Sequence, residues 1–173
     1  MKHNKMNKKN KEQYYIKNNV LIHNSSIIIG KVSINKFSSI WPSAILRGDS
    51  GTINIGSYTS IQDGTICHMT KNISNIYIGN YVTIGHKSIL HGCTINNNCI
   101  IGMGSILLDN CVIGENSIIA AGSIITTNTI IPMNSFVLGI PGKIIRFINT
   151  NELSNIQSNW LIYKKYVKEY ISK

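Results

Sequence analysis

From Ile95 onward, an aliphatic residue opens every block of six: INNNCI, IGMGSI, LLDNCV, IGENSI, IAAGSI, ITTNTI, IPMNSF, VLGIPG. The fifth place holds Cys, Ser or Thr in each block before the last, so a small residue precedes the next inward aliphatic by two. A six-residue period drifts round a 3.6-residue helix and leaves no fixed apolar stripe, which excludes an amphipathic helix here. It predicts an all-β solenoid instead, with short strands joined by turns, three hexads to a coil, and the small residue at the corner beside each aliphatic.

Upstream the register continues with interruptions, through IWPSAI (40–45), LRGDSGT from Leu46, IGSYTS and IQDGTI to Cys67 and His68. The stretch MTKNISNIY that follows is too long for a turn and is expected to protrude as a loop, after which the register resumes at Ile78, Ile84 and a five-residue unit, LHGCT. Beyond Arg146 the period changes. Leu153, Ile156, Trp160, Tyr163 and Val167 recur at three- and four-residue spacing, with Lys164, Lys165 and Lys168 largely off that stripe, which predicts a helix capped by Thr150 and lying along the prism. The chain therefore divides into a Lys/Asn-rich extension over residues 1–19, expected to be flexible, a β-helix domain over 20–148 and a C-terminal helix over 149–173.

Composition narrows the function classes. A net charge of +10 invites nucleic acid, but only Arg47 and Arg146 among the 17 basic residues are arginines, and the lysines crowd into the two ends. Stacking platforms and guanidinium contacts are both missing, so no nucleic-acid partner is expected. The wealth of Asn, Ile and Lys reads as compositional drift. No run reaches the roughly 18 to 20 apolar residues of a membrane span, and the first residues lack the apolar core of a secretory signal, so no membrane partner and a cytoplasmic location are expected. The four cysteines form no CxxC pair and are expected to be reduced and buried.

Three histidines fall inside the repeat. If the faces are counted off, His68 and His91 both take the second place on face three, one coil apart, while His86 takes the third place on face two, around the corner. Strand spacing sets the first two about 4.7–4.9 Å apart along the axis. In a three-fold assembly, face two of one subunit can meet face three of the next, so His86 from a neighbour would complete a site with His68 and His91. The same count stacks Asp63 beneath His86 with Gln62 beside it, and Arg47 beneath His68 with Asp49 two residues on. Three neutral imidazoles with an open fourth position is a catalytic zinc arrangement. His3 and His23 lie outside the repeat and read as surface residues.

Taken together, SIWPSAILRGD, SIQDGTICH, VTIGHKSILHGCTI, IGMGSILLD and IAAGSI resemble the gamma-class carbonic anhydrase family over roughly residues 20–172. The resemblance implies a left-handed parallel β-helix of hexapeptide repeats with a C-terminal helix, assembled as a homotrimer with Zn2+ or Fe2+ between subunits. By it, His68 and His91 bind the metal from one chain and His86 from the adjacent one. Gln62 bonds the metal-bound water, Arg47 and Asp49 hold the interface through an ionic contact, and Asp63 supports the site from behind.

The activity so implied is that of a carbonate dehydratase, a lyase in which metal-bound hydroxide hydrates CO2 to bicarbonate. Active members carry acidic proton carriers near the metal, one of them on the loop after the first metal histidine. Here that loop has no Asp or Glu, Ser50 follows Asp49 where those members have an acid, and Ser60 replaces a frequent Asn, which implies slow turnover. Two other readings share the coil: a hexapeptide-repeat acyltransferase or thioesterase acting on CoA esters, and a non-catalytic trimeric scaffold stapled by metal.

Overall fold

The computed structural model describes residues 14–171, and the flexibility expected of residues 1–13 lies outside them. Parallel strands stack into a β-solenoid of about seven turns, with one helix, Thr150–Ile171, laid against it. The first described strand, Tyr14–Ile16, pairs in register with Ile27–Ile34, so coiling begins ahead of residue 20.

The hexad rule accounts for the core. Every first-place aliphatic from Ile95 to Val137 is buried, as are Leu46, Ile55, Ile61, Cys67, Ile78, Ile84 and Leu90 upstream. They form one apolar column, each large side chain contributing about 1.5–3 kcal/mol by leaving water. The fifth-place residues have a second task. Ser105 Oγ donates to the Ala120 carbonyl at 3.1 Å, Ser117 Oγ to Pro132 at 3.1 Å, and Cys99 Sγ to Gly114 at 3.2 Å. Hydroxyl and thiol serve alike because each gives one hydrogen to a carbonyl of the next coil. All four cysteines are free and buried, and burial pushes the Cys67 and Cys99 thiols up to about 12, far from reactive thiolate.

The fourth place of the hexad is a corner. Asn98, Asn110, Asn116, Asn128 and Asn134 all have positive φ, as do Gly104 and Gly122 in the same place. Asn tolerates the left-handed region better than other residues with a Cβ, so part of the Asn content is a requirement of the fold rather than drift.

The three faces resolve into two sheets. The long strands Ile27–Ile34 and Ile45–Ile55 turn a corner and join two faces into an 11-stranded sheet, while the third face forms an 8-stranded one. An antiparallel hairpin, Ser135–Gly139 with Gly142–Phe147, ends the stack where the hexads fail. Two insertions crowd one corner. Asp49, Ser50 and Gly51 bulge from Ile45–Ile55, because Gly30 pairs with Gly48 but Lys31 with Thr52. One coil on, the loop after His68 covers 69–75 and is shorter than expected, since Ile76–Ile78 already forms a strand. Its Met69 is fully buried, plugging the core below.

Outside this corner runs a ladder of isoleucines. Ile27, Ile45, Ile66, Ile89, Ile106 and Ile124 pair in direct register, all on the outward side of one face. Of these, Ile27, Ile66 and Ile89 are exposed.

The helix buries Ile156 and Val167, rests Trp160 on Tyr81 and Tyr58, and meets Trp41 edge-on through Tyr163, Tyr166 and Tyr170. Its cap is Asn149, not Thr150. Asn149 Oδ1 accepts from the Glu152 N–H and Glu152 Oε2 from the Asn149 N–H, both at 2.9 Å, a reciprocal box that Thr150, one residue too late, cannot make. Arg146 grips the same carboxylate with two bonds, at 2.7 and 2.8 Å. Arg146 first, and then the Asn149 N–H, hold the Glu152 carboxyl down at about 2 against an ordinary 4.5. Its stabilisation is therefore complete above pH 4.5 and is lost as pH falls through about 2. Amide protection factors in the first helical turn are expected to fall over that range, and Glu152→Gln to abolish this component of the acid dependence.

Candidate metal centre

The strands Ile66–His68 and Ile89–His91 alternate outward, inward, outward: isoleucine out, Cys67 or Leu90 in the core, histidine out. Pairing matches them residue for residue, so His68 stands opposite His91, with ring centroids 5.5 Å apart. Each histidine of the repeat stands beside a carboxylate. His68 Nε2 lies 3.3 Å from Asp49 Oδ1, His91 Nδ1 lies 3.1 Å from Asp109 Oδ2, and His86 Nδ1 lies 2.9 Å from Asp63 Oδ2.

The contacts differ in kind. His68 Nε2 is buried and makes no aligned hydrogen bond, although Asp49 Oδ1 lies 3.3 Å away. A buried ring nitrogen so incompletely satisfied is an atom that a metal ion would complete. His91 and His86 each commit Nδ1 to a carboxylate, which leaves Nε2 as the donor. The residues present thus fit a divalent metal held by imidazoles. Within one chain, however, the described residues bring no three His, Cys, Asp or Glu side chains together as a metal group. His68, His91, Arg47 and Asp49 form one cluster, and His86 with Asp63 another.

Arg47 Nη1 pairs with Asp49 Oδ2 at 3.0 Å inside the chain. Desolvation pushes the Asp49 carboxyl up, but Arg47 and then His68 outweigh it and hold the group below the usual carboxylate range. Gln62 is buried, and its Nε2 donates to the Tyr163 hydroxyl from the C-terminal helix in a short bond. Burial, then Tyr166 and Asp63, raise the Tyr163 hydroxyl above its ordinary pKa, so it stays protonated.

Asp109 is the residue that hexad counting missed. In sequence it is one more turn residue before a corner asparagine. In space its carboxylate takes His91 Nδ1, Thr70 Oγ1 at 2.9 Å and Ser74 Oγ. Desolvation raises its pKa, but the bonds from Ser74 and Thr70 and the nearby His91 ring more than reverse this. The unit Leu90 to Thr94, short by one residue, lets the carboxylate pass, and Gly92 keeps the passage open at φ +67°.

The repeats over 92–127 match the family model "Bacterial transferase hexapeptide (six repeats)", which gives the class. Within it, the chain is 48% identical over 150 residues to a protein of Methanocaldococcus jannaschii named probable carbonic anhydrase, covering 87% of this chain and 94% of that one. It is 46% identical over 95 residues to mitochondrial gamma carbonic anhydrase 2 of Arabidopsis thaliana, covering 52% of this chain and 34% of that one. A crystal structure of a Bacillus cereus putative acetyltransferase superposes with a TM-score of 0.91 at 32% identity, covering 94% of each chain. The chain belongs to the gamma-class carbonic anhydrase family of hexapeptide-repeat proteins.

A Cβ on Gly92 would stand 2.0 Å from Ser74 Oγ and 2.2 Å from Asp109 Oδ1. Gly92→Ala is expected to destabilise the fold by about 1–3 kcal/mol, from left-handed strain plus the displaced contacts. Denaturant unfolding checks this, and an unchanged midpoint would contradict the packing described.

Proposed function

We propose that the chain is a zinc- or iron-dependent carbonic anhydrase, interconverting CO2 and bicarbonate at sites shared between neighbours of a homotrimer. The observation that carries this reading is the register pair His68 and His91, with His68 Nε2 buried and without an aligned hydrogen bond. His68 and His91 of one chain and His86 of the partner subunit are the metal ligands. The names of the relatives support CO2 as substrate. The isoleucine ladder beside His68 and His91 supports a second copy as cover, since exposed Ile27, Ile66 and Ile89 gain by leaving water.

A divalent metal there supplies Lewis acidity that draws the pKa of a water towards about 7. The chain's own groups do the rest. Asp63 and Asp109 fix the rings of His86 and His91. Gln62, its amide nitrogen committed to Tyr163, keeps Oε1 to accept from the attacking water and orient it towards CO2. Asp49 pairs with Arg47 beside His68. Proton release is the slow part. The loop over 69–75 carries no Asp or Glu to relay a proton.

Stopped-flow CO2 hydration with metal content measured on the same sample tests the reading. Chelation and His86→Ala are each expected to abolish turnover, with the variant folded and metal-free. Raising an imidazole-type buffer is expected to increase kcat several-fold in the wild-type chain, by replacing the missing carrier. Acyl-CoA turnover that survives chelation would replace this reading with acyl transfer. Metal-dependent trimers without either activity would leave a scaffold. Ile66→Asp is expected to turn the trimer into monomers by sedimentation.

A further inference from the structure

We infer that Asp109 is the positioning residue of the metal site: one carboxylate both fixes the His91 ring and pins the loop that follows His68, so ligand geometry and loop order are a single property. This rests on the reading of His68 and His91 as ligands.

The bonding leaves Asp109 little freedom. Its Oδ2 meets His91 Nδ1 at 3.1 Å and Thr70 Oγ1 at 2.9 Å, and its Oδ1 takes Ser74 Oγ with the Thr70 N–H at 3.5 Å. The two hydroxyls donate to the carboxylate, which makes it an acceptor, so the ring atom facing it must be N–H. Of the two neutral tautomers, this contact selects the one with its proton on Nδ1 and its lone pair on Nε2, the form a metal requires.

Three coils meet at this carboxylate. Thr70 and Ser74 belong to the loop after His68, His91 to the next coil, and Asp109 to the coil beyond. An ordinary corner at Gly92 would block the reach across the middle coil, whereas the short unit with its glycine permits it. Thr70 stands two residues from His68, so pinning the loop also restrains the backbone that presents the first imidazole. A simple surface pin would need no contact with a ring, and a simple ring partner would need no contact with the loop. Asp109 makes both.

The experiment compares wild type, Asp109→Ala, Asp109→Asn and the double variant Thr70→Val with Ser74→Ala. In metal-free protein, ring 15N shifts report the His91 tautomer and amide exchange reports residues 69–75. In parallel, zinc affinity is read against a competing chelator. Wild type is expected to hold the Nδ1–H tautomer with a protected loop. Asp109→Ala is expected to shift His91 towards the Nε2–H form, accelerate loop exchange and weaken zinc about 10- to 100-fold. Asp109→Asn is expected to keep most loop protection yet weaken zinc about tenfold, because the amide is a poorer acceptor than a carboxylate. The double variant is expected to free the loop, shift the tautomer in part and weaken zinc several-fold. If Asp109→Ala does not fold, Asp109→Asn and the double variant carry the test alone. Wild-type tautomer and zinc affinity in the folded Asp109 variants would overturn the inference, as would a double variant that frees the loop and changes neither. Should the wild-type chain bind no zinc, the ligand reading falls, while the metal-free tautomer and exchange data still decide whether Asp109 couples ring and loop.

Discussion

Everything at the candidate centre depends on the register in which Ile66–His68 lies beside Ile89–His91. Side chains alternate along a strand, so a slip of one residue would turn both histidines into the core and expose Cys67 and Leu90. The burial of those two residues is what aims the imidazoles outward. The ladder bonds between the two strands lock the choice, with Gly92 N–H on the His68 carbonyl and Ile66 N–H on the Ser88 carbonyl, both at 2.9 Å. The hydrophobic column that stabilises the solenoid is thus also the device that aligns the two imidazoles.

Carboxylates are scarce in this chain, seven against seventeen basic residues, yet three of them stand against the three histidines of the repeat. Two engage Nδ1 and free Nε2. The third, Asp49, bonds Arg47 through Oδ2 while its Oδ1 lies 3.3 Å from His68 Nε2 without an aligned hydrogen bond. An overall basic protein thus gathers three of its few carboxylates at the histidines of the repeat.

The solenoid was legible because its period is local: each hexad states its own inward residue, corner and small fifth residue. Face counting therefore reached His68, His91, His86 and Asp63 from spacing alone. Interactions that cross coils without a repeat were not legible. Asp109 reaches Thr70 across 39 positions and depends on a deletion at Gly92 that spacing registers only as a short unit. The bond from Gln62 to Tyr163 spans 101 positions and exists because the helix lies over that face, a matter of tertiary packing. The helix cap was misread for a smaller reason. Asn149 and Thr150 are both good caps, and Glu152, three residues after Asn149, decides between them through the reciprocal box. The loop length was overread because Ile76 and Tyr77 look like loop residues until paired with Ile53 and Asn54.

The central claim is that one site is assembled from two chains, and mixing variants tests it most directly. His86→Ala chains keep His68 and His91, while a His68→Ala, His91→Ala double variant keeps only His86. Neither homotrimer is expected to bind metal or hydrate CO2. Unfolded together and refolded as an equal mixture, they are expected to regain metal and activity at roughly a quarter of the wild-type level, the share of interfaces that random assortment completes. Mixed trimers that recover neither, or a His86→Ala homotrimer that keeps its metal, would contradict the account.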